Sequence, residues 1–100
     1  MAQIKMNKHQ VYNFLADHPE WFQRKYCVEL LGDKNFLTCA DIADRINREM
    51  RKETDDFIVL RGATLTAMVY DEVLMREYSD DRHCYTYCLI QPIKEDYRAP

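Results

Sequence analysis

Between residues 7 and 17, Val11, Phe14 and Leu15, with Ile4 upstream, recur at the spacing of one helix face, and Asn7 stands where an N-cap belongs. The ring of Pro19 disfavours helical geometry at His18, so this helix stops there. Asp17 or His18 then caps a second helix, with Pro19 in its first turn and Trp21, Phe22, Tyr26, Leu30 and Leu31 as its apolar stripe. Gly32 and the polar Asp33-Lys34-Asn35 end it.

A third helix is expected over 38–51. Thr38 caps it, Asp41 three positions on places a carboxylate near the free N–H groups, and Ile42, Ala43, Ile46 and Met50 form the buried stripe. Arg51 to Asp56 is polar throughout and reads as a loop; Phe57-Ile-Val-Leu60 reads as a short strand, closed by Arg61-Gly62. Residues 63–79 read as a fourth helix, with Leu65, Met68, Val69, Val73 and Leu74 on one side, Asp71 and Glu72 opposite, and Thr64 as a cap. After a turn at Ser79-Asp80-Asp81, the run from Arg82 to Ile90 alternates: Cys84, Thr86, Cys88 and Ile90 share one face, Tyr85, Tyr87 and Leu89 the other. This pattern implies an α+β, mainly helical, winged-helix-like domain over 1–92: four helices and a short two-stranded antiparallel sheet. A charged tail, 93–100, follows.

Composition narrows the function. With 100 residues, 47% of them hydrophobic, the chain can build one core without disulfides or a metal. A net charge of −3 argues against indiscriminate nucleic-acid binding, although Arg45, Arg48, Arg51, Lys52 and Arg61 form a locally basic stretch. That stretch is diluted by Glu49, Glu53, Asp55 and Asp56, and reads equally well as a solvated face. No run approaches the ~20 apolar residues of a membrane span. Residues 1–8 hold no signal-peptide core, so a cytoplasmic protein with Cys27, Cys39, Cys84 and Cys88 reduced is expected.

Two resemblances follow from particular residues. Val11 to Phe22, with His18-Pro19 and the aromatic pair Trp21-Phe22, resembles the start of a family of bacterial domains of unknown function, and this carries no function over. Within 37–91, Thr38-Cys-Ala-Asp-Ile-Ala43 and the helix, turn and aromatic strand of Tyr70 to Tyr87 resemble small winged helix-turn-helix transcriptional regulators of bacteria and phages, including the fimbrial-switch regulators. That likeness implies a regulator that binds double-stranded DNA as a homodimer, with 38–51 as supporting helix, 63–79 as recognition helix and the strand from Arg82 as wing. Arg61, Thr64 and Thr66 are then the residues facing DNA, and Arg45, Arg48, Arg51 and Lys52 the phosphate contacts. The competing reading makes Thr64 a helix cap and Arg61 a solvated loop residue.

Other chemistry is thinly represented. Only Cys84-x3-Cys88 approaches zinc-knuckle spacing, and on a flat strand the two lie about 13 Å apart, so no metal or cofactor is expected. His9, His18 and His83 have no partner in a nucleophile motif, and the only glycines, Gly32 and Gly62, cannot form a phosphate loop; no enzyme is expected. Tyr85, Tyr87 and Leu89 suit either an interface or the domain's own core. If they form an interface, the chain is instead a small acidic phage or accessory protein that binds and inhibits a host protein.

Overall fold

Asn7 and Thr38 set where the first two helices begin. In the computed structural model, which describes residues 2–23 and 34–100, α1 spans Lys8–Asp17 and α2 spans Cys39–Met50. The Asn7 side chain accepts from the Gln10 N–H while the Gln10 side chain accepts from the Asn7 N–H, both at 2.9 Å. Thr38 and Asp41 make the same reciprocal cap on α2. A strand, β1 (Gln3–Ile4), precedes α1, and a 3-10 turn, Pro19–Phe22, follows it. β2 (Leu37–Thr38) leads into α2; β3 (Phe57–Ile58), α3 (Gly62–Tyr70), β4 (Leu74–Ser79) and β5 (Cys84–Leu89) complete the order.

The expectation of four helices and a two-stranded sheet is corrected. Among the described residues there are three α-helices and five strands in two sheets: β2-β5-β4, antiparallel, and β1-β3, parallel. The helix expected over 63–79 is split in two. α3 stops at Tyr70, where the Val73 N–H bonds the Met68 carbonyl and the Glu72 N–H bonds the Val69 carbonyl. This is a Schellman stop, with Glu72 at φ 63 in the left-handed position that glycine usually fills. Val73 and Met68, both buried, close the apolar contact that accompanies it. Residues 74–79 are therefore free to pair with 84–89, Tyr78 opposite Tyr85 and Leu74 opposite Leu89.

Two further expectations are corrected. The helix expected from Pro19 ends after one 3-10 turn, because Gln23 is extended (φ −119, ψ 142) and bridges to Lys34; its later stripe lies outside the described residues. Phe57–Ile58 is a strand as expected, but it pairs with β1 instead of the aromatic strand, Gln3 opposite Phe57. Its other side is held by Asn47 of α2, whose amide takes the Ile58 N–H at 2.8 Å and donates to the Ile58 carbonyl at 3.1 Å.

The core gathers Val11, Tyr12 and Leu15 of α1, Ile42 and Ile46 of α2, Leu65 and Met68 of α3, and Leu37, Leu74, Tyr87 and Leu89 of the sheet. Residues past Pro92, expected to end the order, fold back along α1. There a second 3-10 turn, Glu95–Tyr97, seats the Tyr97 ring edge-on against Tyr12, with centroids 5.0 Å apart. The Ala99 N–H reaches Asn13 at 3.1 Å, and Arg98 reaches Asp17 at 2.8 Å.

Candidate functional site

α3 is the least polar helix among the described residues and also a surface one. Its nine residues, Gly-Ala-Thr-Leu-Thr-Ala-Met-Val-Tyr, carry no charge in a chain that is 31% charged. Leu65 and Met68 point into the core against α1 and β4. Helical spacing then turns Ala63, Thr66, Ala67 and Tyr70 the opposite way. Gly62 and Ala63 are exposed, Tyr70 is 80% exposed at the C-terminal end, and Val59, just before the helix, is 57% exposed. The result is an uncharged strip with a large apolar group at each end.

The start of α3 is fixed by the end of β3. The Cys39 thiol donates to the Leu60 carbonyl at 3.4 Å, which sets Arg61 beside the N-terminus of α2. Arg61 is the N-cap residue, in extended backbone (φ −100, ψ 144), and makes no side-chain cap bond. Thr64, expected as the cap, lies inside the helix and is half-buried. Burial raises the Cys39 thiol above its ordinary range, which favours the protonated form that donates to Leu60.

The expected DNA contacts do not converge. Arg48, Arg51 and Lys52 sit at the C-terminal end of α2, roughly 18 Å along a 12-residue helix from the end that Arg61 adjoins. Lys52 is paired with Glu49 at 3.1 Å, and Arg45 lies 6.0 Å over the Trp21 ring, itself stacked on His18. The hairpin loop between β4 and β5 carries Asp80 and Asp81, and its Arg82 is bound to Asp41 at 2.7 Å. Burial alone would raise the Asp41 carboxyl, but the bonds from Arg82 and Thr38 outweigh it and hold the group below the usual range.

Of the expected interface face, only Tyr85 reaches solvent, at 45% exposure. Tyr87 and Leu89, each 4% exposed, belong to the core. The alternation holds along β5, but the inner half of the strand is covered on both faces, so face alone does not decide exposure. Sequence reasoning names Tyr70 and Tyr78 only as neighbours of the Tyr85 face and passes over Val59; the legible signal for Tyr70 as a surface of its own was the charge-free run from Gly62 to Tyr70.

Among the described residues no three His, Cys, Asp or Glu side chains gather as a metal site, and Cys27 lies outside those residues. Nor, among them, is any helix long and apolar enough to cross a membrane. No protein-family model, curated protein or solved structure matches the chain.

Proposed function

We propose that this domain binds another protein through the outward strip of α3, as a small acidic accessory protein that occupies and inhibits its partner. One observation carries the reading: on the outward side of a helix without charge, Ala63 is exposed and Tyr70 is 80% exposed, with Thr66 and Ala67 half-buried between them. Protein-binding surfaces are depleted of charge at their centre and enriched in tyrosine, and small side chains let a partner approach the backbone closely. The net charge of −3 agrees with a protein partner more than with a phosphate backbone.

Immobilised protein tests this against lysate of its own source. Wild type should retain a stoichiometric partner, Tyr70→Glu should lose it, and Arg48→Glu, on another face, should keep it. Retention unchanged by Tyr70→Glu overturns the proposal.

A second reading, DNA binding by the same helix, has one observation in its favour: Arg61 is exposed at the N-cap and Thr66 lies on the outward side. It requires a duplex affinity that falls steeply with salt and drops on Arg61→Ala.

A further inference from the structure

The outer half of β4 is exposed, although the hairpin loop beyond it is tied to α2 by the Arg82–Asp41 pair. Arg76, Glu77 and Tyr78 are all exposed although consecutive strand residues face opposite ways, so solvent reaches both sides of the strand there. β4 is also the last strand of its sheet among the described residues, and none of those residues pairs with the alternate N–H and C=O groups along its outer edge. On one face, Tyr78 meets Tyr85 edge-on with centroids 5.3 Å apart, and the Arg76 guanidinium lies 4.2 Å over Tyr85.

We propose that β4 pairs antiparallel with β4 of a second copy of this chain, about a two-fold axis at Tyr78. Charge selects the register. An axis at Arg76 sets arginine against arginine, and one at Glu77 sets glutamate against glutamate. An axis at Ser79 sets Glu77 against Asp81. Within the exposed stretch Arg76–Ser79, only the axis at Tyr78 avoids like charges; it places each Glu77 opposite a Ser79 and, one residue past β4 at the start of the turn, each Arg76 opposite an Asp80, and it joins the two tyrosine pairs into one aromatic row across four strands. The two copies would form a continuous six-stranded antiparallel sheet, leaving both α3 strips outside the contact, so the pairing stands independently of the function proposed above.

Sedimentation velocity from micromolar to millimolar protein tests the pairing, with circular dichroism as the check on folding. Wild type should dimerise with rising concentration. Arg76→Asp and Asp80→Arg should each weaken the dimer by on the order of tenfold, because each sets like charges opposite twice. The double exchange, R76D with D80R, should restore it. A monomer up to millimolar concentration, or a double variant no better than the singles, overturns the proposal. Partner capture by Tyr70 is read separately on the same monomeric variants.

Discussion

Replacing Glu72 with glycine should stabilise the protein, although Glu72 is exposed and its side chain makes no hydrogen bond or ion pair among the described residues. At φ 63 its Cβ crowds the following carbonyl, a conformation that costs a residue with a side chain roughly 1–2 kcal/mol. Glycine escapes that penalty but gives up about 0.5–1 kcal/mol through its freer unfolded chain. The difference favours glycine by about 0.5–1 kcal/mol, which for a domain of this size raises Tm by roughly 2–8 °C. Glu72→Ala separates conformation from charge: it removes the carboxylate from the C-terminal end of α3, where the helix dipole disfavours it, but keeps the Cβ. Melting curves of wild type, Glu72→Gly and Glu72→Ala, followed by circular dichroism, should place glycine highest and alanine within about 0.5 kcal/mol of wild type. Should glycine lower Tm, the helix does not end in a left-handed stop at this residue, and the split of 63–79 into α3 and β4 fails with it.

Other consequences are equally direct. Asn47→Ala should destabilise by about 1–3 kcal/mol in urea titration, because it strands the N–H and carbonyl of buried Ile58 away from water. Thr38→Ala should cost about 1 kcal/mol by losing the cap on α2, measured the same way. Asp71 accepts from Lys8 at 2.7 Å and from the Tyr97 hydroxyl at 2.5 Å, and these bonds, Lys8 first, hold its carboxyl below the usual carboxylate range. A carboxyl lowered on folding stabilises the protein above its unfolded pKa, and that contribution is lost as pH falls through its folded pKa. Asp71→Asn should therefore lower Tm at pH ~7, and by progressively less as pH falls below the unfolded carboxylate range; an equal drop at every pH would refute a charge-based role.

The starts of α1 and α2 were legible because capping is local chemistry: Asn7 and Thr38 each stand three residues before the side chain that completes the box, whereas α3 starts at Arg61-Gly62 with no side-chain cap to announce it. The end of α3 was hidden for the complementary reason. Its stop relies on a glutamate where glycine is expected, and Val73 and Leu74 continue an apolar stripe that suits a helix and a buried strand alike. The pairing of Phe57–Ile58 with Gln3–Ile4 was also out of reach, since no local feature specifies a contact across more than fifty residues. The clasp of Tyr97 on Asp71, His9 and Tyr12 is long-range in the same way; composition reads that segment as a charged tail. For the candidate surface, the basic residues drew attention to α2, whereas the absence of charge in 62–70 was the more telling signal.

Photo-cross-linking tests the protein-binding claim most directly. With a benzophenone side chain at position 70, irradiation in the source lysate should give one adduct to one other protein, and the same group at position 48 should give none. An adduct to duplex DNA, or a protein adduct from position 48 with none from position 70, would contradict the account.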